Sequence, residues 1–215
     1  MIDLLVIAKA PQPGGSKTRL CPPFSYEQAA SLAEAALVDT LHAVAAVPSE
    51  RRVLVLDGEP GSWLDDGFRV LAQRGAGLDV RLASAFEDAH DGRPMLLIGM
   101  DTPQIKPSQL QHAAGLMREG GAVLGEALDG GWWAIGLQEP RREIFEGVPM
   151  STPDTGRLQR KRLEELGIRF TSLEVLRDID TAEDAHAVAE EHPQLRFSKM
   201  LESMNGRSGR NRRPG

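Results

Sequence analysis

Cysteine is nearly missing from this chain of 215 residues, since Cys21 is the only one. A single cysteine excludes an internal disulfide and a cysteine-rich metal site, and it is typical of a reducing compartment. Runs of about 18 apolar residues, the length of a membrane span, are also missing, and the acidic Asp3 follows the first methionine. We therefore predict a cytoplasmic protein without a membrane partner. Cys21 has no histidine and acid beside it, so we interpret it as a structural thiol.

An excess of positive charge is missing too, because 25 Lys and Arg residues face 31 Asp and Glu residues, for a net charge of −6. This balance argues against a general nucleic-acid surface, so any anion site has to be local. With 41% hydrophobic residues, the chain is long enough for one large domain. We predict that residues 1–202 form this domain. Residues 203–215, with four arginines among small polar residues, are predicted to be a disordered basic tail; a nucleic-acid-binding arm is the less favoured alternative.

Short apolar runs alternate with helical patterns, which predicts an α/β fold with a mostly parallel, doubly wound sheet and helices on both faces. The predicted strands are Leu4–Ala8, Arg52–Leu56, Met95–Ile98, Ala122–Leu124, Trp132–Leu137 and Arg169–Leu173. A capping box at Ser25 predicts the first helix, and further helices are predicted at Ser108–Glu119, Arg157–Leu166 and Ala182–Glu191.

The first predicted strand runs into a Pro/Gly loop that carries cations. Lys9, Lys17 and Arg19 surround Gly14 and Gly15 in this loop. Glycines let backbone N–H groups approach an anion, and the cations neutralise it, so the loop is a candidate phosphate site. It matches neither the P-loop nor the Rossmann glycine spacing. A solvated turn is the alternative interpretation.

Two acidic segments are candidates for metal binding. Asp101 follows an apolar run, and ligands of open α/β sheets bind outside the carboxyl ends of the strands. Asp178 and Asp180 share a face if their segment is extended, and carboxylate oxygens suit Mg²⁺ or Mn²⁺. The alternatives are a turn aspartate at 101 and a helix cap at 180. If Thr181 caps the helix, Asp180 is left for the metal.

Two glycine segments complete the set of candidates. Asp129 precedes Gly130 and Gly131, which permit close backbone approach, although a plain hairpin uses the same residues. Trp132 and Trp133 would then face opposite sides of a strand. The segment from Gln73 to Leu78 offers an amide that matches a nucleobase edge and glycines against which a flat base can lie. A simple glycine turn is equally compatible with it.

Six segments over residues 1–190 occur in a recognisable order: residues 8–20, 73–78, 99–103, 128–137, 150–153 and 178–184. In this order the chain resembles the nucleotide-diphospho-sugar transferase superfamily with the GT-A fold, and in particular the bacterial DUF2064 family of predicted glycosyltransferases. That family is similar to phospholactate guanylyltransferases and molybdenum-cofactor nucleotidylyltransferases.

The resemblance implies roles for individual residues. Lys17 and Arg19 would contact nucleotide phosphates, Asp101 and Asp180 would hold Mg²⁺ or Mn²⁺, and Asp129 would face the acceptor, where it is a candidate general base. The nucleotide would also contact the opening loop and the two glycine segments, through Ala8, Lys9, Ala10, Gly14, Gly15, Gln73, Gly75, Gly77, Leu78, Gly130 and Gly131. Lys17 and Arg19 would assist catalysis by stabilising phosphate charge.

The sequence departs from related patterns, because it lacks both the Gly-x-Gly-x-Arg loop of many sugar nucleotidylyltransferases and a strict Asp-x-Asp triplet. We favour a transferase that binds a nucleotide-activated sugar and passes the glycosyl group to a small-molecule acceptor. The alternatives are a nucleotidylyltransferase that releases pyrophosphate from a nucleoside triphosphate, and a non-catalytic nucleotide-binding module. The base, the sugar, the acceptor and the oligomeric state do not follow from the sequence.

Overall fold

The strands of this protein are short apolar segments that pair into one sheet. The computed structural model describes residues 1–210, and in them seven strands lie in the order β3-β2-β1-β4-β6-β5-β7. Their bounds are β1 Asp3–Lys9, β2 Arg52–Asp57, β3 Arg69–Ala72, β4 Met95–Gly99, β5 Ala122–Glu126, β6 Trp132–Leu137 and β7 Phe170–Ser172. The central strand β1 is apolar from Leu4 to Ile7, as expected for a strand covered on both faces.

The sheet is mostly parallel. Strand β1 pairs in parallel with β2 and β4, and β2 pairs in parallel with β3. Strand β6 runs antiparallel to its neighbours β4 and β5, while β5 and β7 are parallel. The carboxyl ends of the parallel strands and the start of β6 therefore meet at one edge of the sheet.

Helices cover both faces. Their bounds are α1 Tyr26–Ala45, α2 Leu78–Ala89, α3 Pro107–Arg118, α4 Thr155–Glu165, α5 Ala182–Glu191 and α6 Arg196–Arg210. Leu37 of α1 and Leu110 of α3 pack in the core on one face, whereas Phe86 of α2 and Leu163 of α4 pack on the other. The predicted α/β architecture with helices on both faces is confirmed. None of the described helices is long and apolar enough to cross a membrane.

All six predicted strands and all four predicted helices are present, but two further elements between residues 69 and 89 were not predicted. Strand β3 is only four residues long, lies at the edge of the sheet and is largely exposed, so its short apolar run did not stand out as a strand. Helix α2 begins after Gly77, which offers no side-chain cap. Its signal was the spacing of Leu82, Phe86 and Ala89, which are all buried.

The predicted disordered tail needs a correction, because α6 is helical as far as Arg210. Phe197, Leu201 and Met204 recur at helical spacing and are buried against α1 and α5, which gives the physical reason for the helix. Its first backbone N–H groups, those of Arg196 and Phe197, donate to the carboxylate of Asp39 in α1 over 3.2 and 2.9 Å. Of the predicted tail, residues 211–215 lie outside the described part of the chain.

Candidate functional site

A cavity of about 840 Å³ opens at the edge of the sheet where the parallel strands end. The segments that sequence analysis singled out meet here, although they lie far apart in the chain. The predicted site residues that line the cavity are Ala8, Lys9, Gly15, Lys17, Arg19, Gln73, Leu78, Asp101, Asp129, Gly131 and Asp180. Ala10, Gly14, Gly75, Gly77 and Gly130 are not among its lining residues; they lie in the loops behind it.

The loop after β1 is folded around a buried serine. The Ser16 hydroxyl donates to the Ala10 carbonyl and accepts from the Gln12 N–H. Lys17 then adopts a left-handed conformation with φ 51° and ψ 37°, which is uncommon for a residue other than glycine. This geometry turns the Lys17 side chain inward, toward the ends of the neighbouring segments.

Lys17 joins three parts of the site. Its ammonium group lies 2.8 Å from Asp101 Oδ1 and 3.4 Å from Asp180 Oδ1, and it donates to the Ile179 carbonyl. The side chain is only 9% exposed. Burial by itself lowers the pKa of Lys17, but the nearby carboxylates of Asp101, Asp180 and Asp178 outweigh burial and raise the pKa above its usual value. Lys17 therefore remains charged.

Three carboxylates form the group that could hold a metal ion. Asp129, Asp178 and Asp180 each offer one oxygen, and these oxygens lie within 4.8 Å of one another. Arg19 contacts the outer oxygen of Asp180 at 3.0 Å. Asp180 was a predicted metal ligand and belongs to this group. Asp101, the other predicted ligand, is not among its members and pairs with Lys17 instead, so its role in metal binding stays a prediction.

Asp178 is the member of this group that was not selected as a site residue from the sequence. Burial, followed by the negative charges of Asp129 and Asp180, raises the pKa of Asp178 to about 7. The available signal was the spacing from Asp178 to Asp180, which predicted a shared face. What the sequence could not show is that Asp129 approaches the same point from another loop.

The helix that follows Asp180 begins as predicted. Thr181 caps α5 by accepting from the Asp184 N–H, and the Asp184 side chain accepts from the Thr181 N–H in return. Because Thr181 is the cap, the Asp180 carboxylate is not used for that purpose. The predicted threonine cap is confirmed, and the binding of a metal by Asp180 stays a prediction.

The turn that carries Asp129 is held by close backbone contacts. The Gly131 N–H donates to Asp129 Oδ1 over 2.7 Å, and Gly156 N–H donates to the Gly130 carbonyl over 2.7 Å. A Cβ atom on Gly130, where φ is 89°, would lie 1.9 Å from the Pro153 carbonyl oxygen. The close approach predicted for Gly130 is thus made by the protein's own loop. Trp133 is buried in the core, while Trp132 lines the cavity.

The opposite wall of the cavity is built by α2 and the ends of β1 and β2. The side-chain amide of Gln73 donates to the Ala8 carbonyl over 2.7 Å and to the Val55 carbonyl over 3.2 Å. Its oxygen accepts from Arg81, whose guanidinium also contacts Asp57 at 2.8 Å. Both polar ends of Gln73 therefore have partners within the protein, and Asp57 and Arg81 offer polar groups on this wall that sequence analysis missed.

Solved structures share this fold. A protein from Desulfovibrio desulfuricans G20, named as a candidate nucleotide-diphospho-sugar transferase, superposes with a TM-score of 0.84 at 22% identity, over 95% of each chain. Rv0371c from Mycobacterium tuberculosis H37Rv, in complex with manganese, has a TM-score of 0.53 at 16% identity, over 87% of this chain and 98% of that one. CMP:2-keto-3-deoxy-manno-octonic acid synthetase, complexed with CTP, has a TM-score of 0.51 at 14% identity, over 90% and 99%.

Sequence comparison gives a narrower result. No curated protein matches the chain. The model of a family described as "Uncharacterized protein conserved in bacteria (DUF2064)" matches residues 37–152, which is more than half of the 215 residues. The chain therefore belongs to the DUF2064 family.

Proposed function

We propose that this protein is a metal-dependent transferase that binds a nucleotide-activated sugar and passes the glycosyl group to a small-molecule acceptor. One observation carries the proposal: three carboxylates converge beside two cations, Lys17 and Arg19, in a large cavity at the carboxyl edge of an α/β sheet. Open α/β sheets bind ligands at this edge, and a divalent cation and fixed positive charges both stabilise the negative charge of phosphates.

The three carboxylates fit a divalent cation. Asp129, Asp178 and Asp180 supply hard oxygen ligands, which suit Mg²⁺ or Mn²⁺ and leave further coordination positions for water and phosphate oxygens. Burial and then the charges of Asp129 and Asp180 raise the pKa of Asp178 to about 7, and the two positive charges of a bound cation would offset the repulsion among the carboxylates. When bound, the cation would neutralise negative charge on the diphosphate that leaves the sugar.

The chain's own residues would bind and orient the substrates. Lys17 and Arg19 lie on one side of the carboxylate group and would contact phosphate oxygens. Asp129 is the exposed member of the group, so it is positioned to accept the proton of an acceptor hydroxyl. Beyond Asp129 the cavity continues along Trp132, Met150 and Ser151, where an acceptor has room to bind.

The fold comparisons support this class of reaction. The similar Desulfovibrio protein is named as a candidate nucleotide-diphospho-sugar transferase, and the similar Rv0371c structure is a manganese complex. Because one cysteine is typical of a reducing compartment, we place the proposed reaction in the cytoplasm.

Nucleotidyl transfer is the second candidate function. CMP:2-keto-3-deoxy-manno-octonic acid synthetase, which has this type of fold, is seen in complex with CTP, and this supports attack on an α-phosphate as the alternative reaction in the cavity. The two reactions differ in their products: glycosyl transfer releases a nucleoside diphosphate, whereas nucleotidyl transfer releases pyrophosphate.

A thermal-shift panel of nucleotide-diphospho-sugars and nucleoside triphosphates, each with and without Mn²⁺, tests the proposal. Since a ligand at 100 times its dissociation constant adds about 2.7 kcal/mol of stability, we expect a clear, metal-dependent rise in Tm with one nucleotide-sugar. Asp180→Asn should abolish the rise. Asp65→Asn, which removes an exposed carboxylate paired with His42 outside the cavity, is the matched control and should keep it.

The products decide between the two reactions. Metal-dependent binding of a nucleotide-sugar without pyrophosphate release supports glycosyl transfer, and pyrophosphate release from a triphosphate supports the second candidate. Failure of every nucleotide to shift Tm, with or without Mn²⁺, would overturn both functions.

A further inference from the structure

A second polar group lies in the cavity, away from the carboxylates that could hold a metal. Asp57 ends β2, Lys9 ends β1 beside it in the parallel register, and Arg81 extends from the first turns of α2. Arg81 Nη1 lies 2.8 Å from Asp57 Oδ2. All three residues line the cavity. This group, which we call the Asp57 group, takes no part in the metal and phosphate contacts described above.

The Asp57 group projects from one face of the sheet. Side chains alternate along a strand, so Lys9 points to the same face as Ile7, and Asp57 to the same face as Val55. Ile7 and Val55 both belong to the core on the face that contains Phe86 of α2. Asp57 and Lys9 therefore lie on the α2 side of the sheet edge, where Arg81 pairs with Asp57.

The group is held rigidly but remains accessible. Besides Asp57, Arg81 contacts the Gly75 carbonyl through Nε and the Gln73 side chain through Nη1. The side chains of Arg81 and Asp57 are nevertheless 33% and 37% exposed. Among the described side chains, those of residues 1–205, neither Asp57 Oδ1 nor Arg81 Nη2 has a hydrogen-bond partner. A ligand in the cavity would meet an acceptor and a donor side by side.

The distance to the phosphate side suits a nucleotide. Asp57 ends β2 and Asp101 follows β4, and β1 lies between these two strands. Neighbouring strands lie about 4.8 Å apart, so the two strand ends are separated by about 10 Å. A nucleoside with its phosphates beside Lys17 can extend its base to the Asp57 group across this separation.

On this basis we infer that the Asp57 group reads the base of the nucleotide and selects guanine, an inference that rests on the proposed function. Among the common bases, only guanine presents two adjacent N–H donors, N1–H and the N2 amino group, next to an acceptor, O6. A carboxylate accepts both donors, and a neighbouring Arg or Lys donates to the O6 oxygen. Adenine, cytosine and uracil each present a single donor group on that edge, so they leave part of the Asp57 group unpaired.

The test compares the Mn²⁺ complexes of GDP, ADP, CDP and UDP by calorimetry. We expect GDP to bind at least tenfold more tightly than the other three, because a site built for hydrogen bonds rejects bases that leave its groups unpaired. In Asp57→Asn one acceptor becomes a donor. GDP affinity should fall at least tenfold, while xanthosine diphosphate, which carries a carbonyl in place of the N2 amino group, should gain affinity.

A matched control separates base recognition from loss of charge. Asp88→Asn removes another aspartate that pairs with an arginine, Arg74, outside the cavity, and should leave the order of affinities unchanged. Equal binding of all four diphosphates to the wild type would overturn guanine selection but not the proposed function. An equal loss for all four in Asp57→Asn would point to a ribose contact and would also overturn it. No binding of any diphosphate would overturn the proposed function as well.

Discussion

The two edges of the sheet both carry aspartates, but only one edge provides each of them with a partner. At the amino edge, Asp3 is fully buried and accepts from Arg51 Nε over 3.0 Å. Arg51 also contacts Asp91 and the Ala89 carbonyl. At the carboxyl edge, Asp129, Asp178 and Asp180 converge, and in the described part of the chain only Asp180 of these three forms ion pairs, with Lys17 and Arg19.

The difference teaches what each edge is built for. Hydrogen bonding to Asp3 raises the pKa of Arg51, as expected for an ion pair that stabilises the fold. The pKa of Asp178 is instead raised by burial and by like charges, so its charged form is disfavoured in the folded protein. Groups whose pKa values are perturbed in this way are typical of functional sites. The amino edge is closed, whereas the carboxyl edge retains charge for a ligand.

Removing the arginine partner of Asp3 at the amino edge should have the largest effect on the free energy of unfolding. Arg51→Met leaves the Asp3 carboxylate buried without its partner, and we expect a loss of about 3–5 kcal/mol in the free energy of unfolding. Urea denaturation measures it. The double variant Asp3→Leu with Arg51→Met removes both charges and should recover most of the loss. A loss below about 1 kcal/mol in Arg51→Met would contradict the view that this pair stabilises the fold.

A substitution in the turn that carries Asp129, at the carboxyl edge, should have the next largest effect on the free energy of unfolding. Gly130→Ala combines a positive φ with a clash against the Pro153 carbonyl, and we expect a loss of at least about 1–3 kcal/mol. Gly147→Ala is the control, because φ is 77° there but nothing lies within 4 Å of the added Cβ. Urea denaturation gives the free energy of unfolding of both variants, and the difference between their losses measures the cost of the clash between the added Cβ and the Pro153 carbonyl. Equal losses would mean that the two loops move apart without cost.

The smallest effect on stability should come from Asp178, and its replacement should stabilise the metal-free protein instead of destabilising it. The folded-state pKa of Asp178, about 7, lies above the usual value of 3.8, so the folded protein binds the proton more tightly than the unfolded chain does. This contribution to stability is fully present below about pH 4 and is lost as the pH rises through 7. Without metal, the Tm of the wild type should fall between pH 5 and 8.

Asp178→Asn should flatten that fall, and at pH 8 it should stabilise the metal-free protein by up to about 1 kcal/mol. Added Mn²⁺ should raise the Tm of the wild type but not that of the variant. A Tm profile that is identical in the two proteins would remove Asp178 from the carboxylate group.

The sequence predicts the frame of this protein well and its site in part. Buried strands such as Leu4–Ala8 are recognisable because a central strand is apolar throughout, and the threonine cap of α5 follows from local spacing. Strand β3 and helix α2 were not predicted, because β3 is a short, exposed edge strand and α2 begins without a side-chain cap.

The site depends on contacts that local patterns do not contain. Lys17 reaches Asp180 across 163 positions, and Asp129 joins Asp178 from a different loop. The Gln73 amide was predicted to face a base, but it bonds to two backbone carbonyls in the structure. Only the fold shows which polar groups have partners within the protein and which face the cavity.

The cap that Asp39 provides for α6 has a consequence for the order of assembly. This cap joins α1 to α6, and the segment that carries Asp178 and Asp180 lies between these two helices in the sequence. While the ribosome makes the chain, β1, β2 and α2 can form the wall around Asp57 early. The carboxylate group is complete only after Asp180, residue 180 of 215, has been added to the chain. Binding of a divalent cation would therefore report that the carboxyl-terminal region has docked.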